Sequence, residues 1–300
     1  MASIVTLLTL NTNKRADLGG LASIIKETKP HVIFIQEALS YNLVSSLASA
    51  SGYSCWASTL PGIRRDRTLA VLSRLPHTAV QEVVPGQAQL VTVGGLSFIN
   101  IHAPSIKTES NAFFTSIRPH LSSPIAPVLI GDFNCCQFPI DYGLPVLPHH
   151  HRSTHLHSII QDFLYTDSFR TLHPTAVVFS FHRRGCEPSR LDRAYIPPLL
   201  ESRPRVARYL PTTSDHHAYL IRLETAGLAL LPTLSPPSAS SSLYWKLNSS
   251  LLSDPRFLPA FRAIWEPLAA SRPRAAPDRP APPPLPRVLR QRGGGVALRP

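Results

Sequence analysis

Short apolar runs in this 300-residue chain repeatedly hand over to a polar side chain able to hold a cation or move a proton. LLTLN ends at Asn11, VIFIQE at Glu37, FINIH at His102, and VLIGDFN at Asp132 and Asn134, while TTSDHH sets Ser214, Asp215 and His216 just ahead of HAYLIRL. A buried β-run delivers its last side chain to the rim of a sheet, so positions far apart in sequence can meet there. Glu37, Asp132 and Asp215 offer the hard oxygens that magnesium prefers, and His216 offers a titratable group. Hydrolysis of a phosphodiester needs such a set: a cation against the charge of the transition state, a base for the attacking water, and help for the departing alkoxide. Taken singly, each residue has an ordinary explanation, Asn11 as a turn cap, Glu37 as a helix cap and GDFN as a tight turn. The ordered set is harder to explain that way.

The elements that must position these residues follow from hydrophobic period. IVTLLTL, LGGLASIIKETK, VIFI and YNLVSSLASA alternate strand-like and amphipathic patterns, which argues for a layered α/β core. TLAVLS, AVQEVV, QLVTV and LSFINI are short β-like runs with little helix between them, so antiparallel hairpins or meanders are expected. TESNAFFTSIRPHL predicts a helix before the apolar PVLI, and a second cycle closes with VVFSF, RLDRAYI and HAYLIRL as strands. The expected architecture is a four-layer α/β sandwich, with two mixed β-sheets packed face to face and helices outside. Between Gln137 and His157 no periodicity is visible, and a surface loop is expected. Its histidines invite a zinc reading, but no acidic or cysteine ligands sit beside them at regular spacing.

Composition narrows the class. The formal net charge is +12 and the pI near 10.1, which favours a polyanionic partner, nucleic acid or an anionic surface. Much of the excess lies after Leu268, where seven arginines face one acid, Asp278. The four cysteines form no CxxC pair, which fits a reducing, intracellular compartment, nuclear or cytoplasmic. No run approaches the ~18 apolar residues of a membrane span, and MASIVTLLTL lacks the basic start and cleavage site of a signal peptide. It is expected as a buried strand. After about Thr225 the composition shifts: a Pro/Ser-rich linker over 226–242, a short helical segment over 243–267, and a Pro/Arg/Gly-rich tail over 268–300 that is expected to be disordered.

The ordered series TLN, QE, NIHAP, GDFN, SRLDRAYIP and SDH, spread over residues 4–223, resembles the endonuclease/exonuclease/phosphatase superfamily. YTDSFRTLHP and the later YWKLNSSLLSDP are similar to the apurinic-type endonuclease of LINE non-LTR retrotransposons, where such a segment links the nuclease to a reverse transcriptase. The resemblance implies a DNase I-like domain over 1–225 that nicks DNA with Mg2+, or Mn2+, and leaves a 3′-hydroxyl. Its partner would be DNA, with a reverse transcriptase module absent from this chain and no membrane. Abasic-site repair and a catalytically inactive, nucleic-acid-binding remnant are the alternatives.

By the same resemblance, Glu37 is the main metal ligand, with Asn11 and Asp215 near the ion or its waters. Asp132 orients or deprotonates the nucleophilic water, and Asn134 donates to the phosphate. His216 sits beside the scissile phosphate, held by Asp192. Ser180 and Ser214 hydrogen-bond to the flanking phosphate, and Asp167 with Arg170 forms a structural pair. Two positions depart from the pattern. His102 stands where tyrosine is common, and Lys14, expected as a solvated loop cation, holds the place of a usual glycine. Two basic loops, GIRRDRT with Arg64, Arg65 and Arg67, and HRRGCEPSR with Arg183, Arg184 and Arg190, can grip the DNA backbone or simply carry solvated charge. In the resembled nucleases the second loop shapes target preference.

Overall fold

Each apolar run of the amino-terminal half becomes a strand or helix in the order its period demands. The chain runs through β1 (Ile4–Asn11), α1 (Gly19–Thr28), β2 (Val32–Gln36), α2 (Tyr41–Ser51), β3 (Ser54–Ala57), β4 (Ala70–Ser73), β5 (His77–Val84), β6 (Ala88–Val93) and β7 (Leu96–His102). It continues through α3 (Lys107–Ile117), β8 (Val128–Asp132), α4 (Thr154–Asp162), β9 (Thr166–Asp167), α5 (Ser168–Leu172), β10 (Asp192–Ile196), β11 (Pro204–Leu210) and β12 (Ala218–Glu224). This computed structural model describes residues 4–14, 18–58, 69–75, 77–122, 126–144 and 152–226. All belong to the first of two units into which the chain divides, residues 1–239. The expected linker beyond Ala226, the helical segment, the tail and the arginines of GIRRDRT lie outside the described residues.

Two six-stranded sheets result, in the orders β11-β12-β1-β2-β4-β3 and β5-β6-β7-β8-β10-β9. Both are mixed: β1 runs parallel to β2 and β7 parallel to β8, and the other pairings are antiparallel. The inner faces meet through Val5, Leu7, Val32 and Phe34 on one sheet and Phe98, Val128, Ile130 and Ala194 on the other. Phe34 and Phe98 touch across the gap, with ring centroids 5.3 Å apart. The alternate residues face outward, as period two requires. Leu8, Ile33 and Ile35 pack under Leu21, Ile25 and Val44 of α1 and α2. Ile99, Leu129 and Tyr195 pack under Phe113, Phe114 and Leu156 of α3 and α4. These are the four expected layers. Among the described residues no helix is long and apolar enough to cross a membrane.

Local rules explain most boundaries. Ser40 caps α2 by accepting from the Leu43 amide, and Gly52 ends it at a φ of 74°. Ser153 likewise caps α4 through the Leu156 amide. That helix begins inside the stretch expected to be loop, so His155 and His157 sit on a helix. VVFSF forms no strand: Phe181 makes only isolated bridges, to Ser189 and His216. The edge strands β3 and β11 carry no clean alternation, being half exposed, and PRVARYL opens on a proline and carries two arginines.

One buried ion network anchors the approach to β10. Arg190 is fully buried and donates through Nε to Asp141 at 2.8 Å and through Nη2 to Asp167 at 2.6 Å. Placing Arg190 among DNA-gripping residues is thereby corrected, since a guanidinium spent on two buried carboxylates has no donor to offer solvent. The expected Asp167–Arg170 pair is also rearranged. Arg170 turns its side chain to Asp141, and only its backbone amide reaches Asp167, at 3.2 Å.

Two stability predictions follow from this packing. Gly131 has a φ of 137° and sits against Ile101 of the neighbouring parallel strand, so an added methyl would strike the Ile101 carbonyl and lie 2.9 Å from its nitrogen. Gly131→Ala should cost about 2–4 kcal/mol in equilibrium urea unfolding; an unchanged midpoint would show the strand pair to be looser than described. Arg190→Ala should cost roughly 3–5 kcal/mol in the same measurement, because it strands two buried carboxylates. A loss comparable to that of a surface residue would count against the network.

Candidate active site

Parity along the inner faces changes chemistry at one end of the sandwich. After Val5 and Leu7 the inward residues of β1 are Thr9 and Asn11, and after Val32 and Phe34 the inward residue of β2 is Gln36. In the opposite sheet Phe98 gives way to Asn100 and His102, and Ile130 to Asp132, while β10 starts at Asp192. The polar layer is knit across the gap: Gln36 Nε2 donates to Asn100 Oδ1 at 2.7 Å. Register does the rest, setting Asn11 opposite Gln36, His102 opposite Asp132, and Asp132 opposite Asp192.

At this end of the sandwich lies an open cleft of about 700 Å³, whose walls include Glu37, His102, Asp132, Asn134, Arg183 and His216. Asn11 Nδ2 donates to Glu37 Oε1 and to Asp132 Oδ2, both at 2.9 Å. Its own Oδ1 accepts the Asn13 amide at 2.9 Å, which fixes the amide orientation. Asp132 Oδ1 accepts the Asn134 amide at 2.8 Å, and Asn134 Nδ2 donates to the Ala103 carbonyl at 2.8 Å. His216 Nδ1 lies 2.8 Å from Asp192 Oδ2, and its Nε2 faces Asp132 at 3.9 Å. Phe181 packs on the His216 ring at 5.0 Å, with the Arg183 guanidinium 5.3 Å from the Phe181 centroid.

The backbone that carries these side chains is strained and held. Glu37 has a φ of 50° and Asn134 of 47°, the left-handed region that costs a glutamate more than an asparagine. The Glu37 carbonyl accepts from Thr12 Oγ1 at 2.8 Å and from the Lys14 amide at 3.0 Å, which over-determines its conformation. Ser180 Oγ accepts the Leu191 and Asp192 amides, each at 2.9 Å, and so presents Asp192 to His216.

Electrostatics separate the two halves of the cleft. Burial would raise the Glu37 pKa, but hydrogen bonds from His102 and Asn11 and the charges of His102 and Lys14 outweigh it and bring the value to about 2. Burial would lower His216, yet the charge and hydrogen bond of Asp192, with Asp132 and Asp215 behind, push it up to about 9. Burial also raises Asp192, so the pair competes for one proton. The proton belongs on the imidazole, because three carboxylates favour the cation there. A charged His216 with Nδ1 spent on Asp192 points its Nε2 proton into the cleft.

The donor set suits a hard divalent cation. Glu37 and Asp132 are carboxylates at the cleft wall, magnesium commonly takes one or two such ligands, and Asp192 Oδ1 is buried with no hydrogen-bond partner. Asp132 and Asp192 place carboxylate oxygens within 4.8 Å of each other and of the His216 ring, and the protonated imidazole leaves the ligand role to the carboxylates. Asn11 turns its nitrogen toward the carboxylates, so it positions them and presents no oxygen to an ion. Asp215, expected near the metal, is instead gripped by Arg183 through Nε at 2.8 Å and Nη2 at 2.7 Å. Ser214 is turned to the Asn11 carbonyl at 2.9 Å. Ser180 is fully buried on backbone amides, which removes it from any phosphate, and Arg184 is exposed but absent from the cleft wall. Nothing in the sequence pattern pointed to the Lys14 contact with Glu37, and the tilted Phe181–His216 ring contact had one signal, an aromatic between Ser180 and the arginines.

A search of curated proteins finds no match to the chain. Among solved structures it resembles an AP endonuclease from Archaeoglobus fulgidus, at 18% identity and TM-score 0.63 over 72% of this chain and 98% of that one. A 3′-5′ exonuclease from Neisseria meningitidis aligns at 20% identity and TM-score 0.64, over 73% and 100%. A 3′ phosphatase from Neisseria bound to a product DNA hairpin aligns at 19% and 0.63, over 73% and 99%. These likenesses establish the fold, two mixed sheets with helices around them. A sequence model of the Endonuclease/Exonuclease/phosphatase family matches residues 8–216, and the chain belongs to that family.

Proposed function

We propose that this chain is a magnesium-dependent endonuclease that nicks one strand of DNA by phosphodiester hydrolysis and leaves a 3′-hydroxyl. We assign it to the apurinic-type endonucleases of LINE retrotransposons, acting inside the cell beside a reverse transcriptase. The carrying observation is that Glu37, Asp132, Asn134 and the Asp192–His216 pair converge on one cleft although they come from separate strand ends. The LINE assignment rests on YTDSFRTLHP and YWKLNSSLLSDP in the sequence.

The residues divide the work by position. Glu37 would be the main ligand of the cation, which when bound supplies positive charge against the transition state. Asp132, fixed at both oxygens by Asn11 and Asn134, orients the attacking water and accepts its proton as the P–O3′ bond breaks, and the departing 3′-oxygen takes its proton from solvent. Asn134 keeps one amide proton beyond the one spent on Ala103, and directs it to the phosphate. His216 donates its Nε2 proton to a phosphate oxygen, where charge develops, with Asp192 fixing its orientation. Arg183, at the cleft wall, meets a flanking phosphate. A second reading, cleavage at abasic sites, is favoured by the fold likeness to the Archaeoglobus AP endonuclease.

The full-length chain should relax supercoiled plasmid with magnesium and not with chelator, and DNA polymerase should extend from the nicks. Glu37→Ala and Asp132→Ala should each lower the nicking rate by roughly 10²–10⁴. Plasmid left intact while an abasic duplex is cut would transfer the assignment to abasic-site cleavage. Neither substrate cut, or variants as active as the parent, would end the enzymatic reading.

The proton on His216 also carries a stability signature. Its folded pKa of about 9 lies above the ordinary 6.5, so its contribution is complete below 6.5 and lost as pH rises through 9. Urea midpoints of the parent should therefore fall between those two pH values. The fall should be smaller in the double variant Asp192→Asn with His216→Asn, and equal slopes would put the proton elsewhere.

A further inference from the structure

Lysine at position 14 does more than float in solvent. Its ammonium lies 3.8 Å from Glu37 Oε2, with 43% of the side chain exposed, and it lines the same cleft as Asp132, Asn134 and His216. Its backbone is pinned: Asn13 and Lys14 have φ of 46° and 55°, the Asn13 amide is held by Asn11, and the Lys14 amide is held by Glu37. The main chain therefore cannot drift, and the position of the charge is set by the side chain alone.

The charge inventory of the cleft gives that side chain a task. A polyanion entering it meets Glu37, Asp132, Glu109 and Glu187 along the walls, against the charged His216 on the floor and two long basic side chains, Lys14 and Arg183. Arg183 is clamped on Asp215 through two nitrogens and packed on Phe181. Lys14 makes a longer, half-exposed ion pair with Glu37, a contact more readily exchanged than the two-nitrogen clamp between Arg183 and Asp215. Glu37 remains held by Asn11 and His102 when the lysine leaves, at 2.9 and 3.3 Å.

We propose that Lys14 is a phosphate-binding residue of this cleft, resting on Glu37 in the empty state and moving to the nucleic-acid backbone once a divalent cation neutralises that carboxylate. The proposal deepens the endonuclease reading and rests on it. It makes Lys14 a competitor of the metal when no substrate is present and an ally of the metal when substrate is bound. Cation and substrate then bind cooperatively, with Lys14 as the link.

The test uses the full-length chain with Lys14→Gln and Lys14→Arg. Tb3+ luminescence reads cation binding without DNA, and fluorescence anisotropy of a labelled DNA duplex reads substrate binding with Ca2+ or with chelator. Lys14→Gln should half-saturate at a Tb3+ concentration several-fold lower than the parent. In Ca2+ it should bind duplex several-fold more weakly, with a salt slope smaller by roughly 0.9, the value for one phosphate contact. Lys14→Arg should restore duplex affinity and slope. Unchanged Tb3+ affinity in Lys14→Gln, or unchanged duplex affinity and slope, overturns the proposal. A parent that binds duplex but never nicks it sinks the endonuclease reading alone, so the two failures are separable.

Discussion

The structure depends on side-chain parity in two sheets held face to face. Because successive residues of a strand point to opposite faces, the inward set on β1, β2, β7, β8 and β10 is fixed once a single residue of each is placed in the core. Leu7 commits Asn11 to the gap, and Ile130 commits Asp132. A slip of one residue in either parallel pair would send those side chains to the helical layer and bring Leu10 or Gly131 to the rim. The core therefore aims the site as well as stabilising the fold, and the apolar contacts of Phe34 with Phe98 act at a distance on the carboxylates beyond them.

Buried charge refines what parity sets coarsely. Arg190 is locked onto Asp141 and Asp167, two residues from Asp192. Ser180 then takes the amides of Leu191 and Asp192, and Asp192 takes His216. A desolvated ion network adds little net stability against an apolar equivalent, yet it is costly to break and specific in geometry. That is the property needed between an exposed surface loop and a carboxylate that must meet an imidazole at 2.8 Å. The same seclusion concentrates the field of Asp192 and Asp132 on His216, which keeps its proton through neutral pH.

What was legible in the sequence was whatever repeats along one strand. Asn11, Glu37, His102 and Asp132 announce themselves as the polar ends of apolar runs, and α1, α2 and α3 show the expected spacing, whereas α4 begins in a stretch expected to be loop. Features that depend on a partner far away in the chain were hidden. Arg190 looks like the other arginines of its loop until Asp141 and Asp167 are brought to it. Ser180 and Ser214 looked like phosphate donors, because nothing local reveals that backbone amides and a carbonyl would claim their hydroxyls. The edge strand SCWA lacks a buried face on which period two could be written, and β11 begins on a proline. Asp215 was drawn to the metal by its place in SDH, whereas Arg183 thirty-two positions earlier captures it.

The rim is also where the fold departs from its own local preferences, and the departures have a common origin. Glu37 and Asn134 adopt left-handed φ, and Gly131 occupies a conformation closed to other residues, all within two residues of a strand end. A strand that ended in ordinary extended geometry would carry its terminal carboxylate outward along the strand axis. Turning the chain sharply at Glu37 and at Asn134 folds those side chains back over the inter-sheet gap, where Asn11 bridges Glu37 and Asp132 with one amide nitrogen. Left-handed residues cost on the order of 1–3 kcal/mol each, so the sandwich core must supply the difference. Two carboxylates drawn together around one amide repel one another without a cation between them. The cleft thus combines backbone strain with unbalanced negative charge, and the cation and phosphate chemistry proposed for it would relieve the second while exploiting the first.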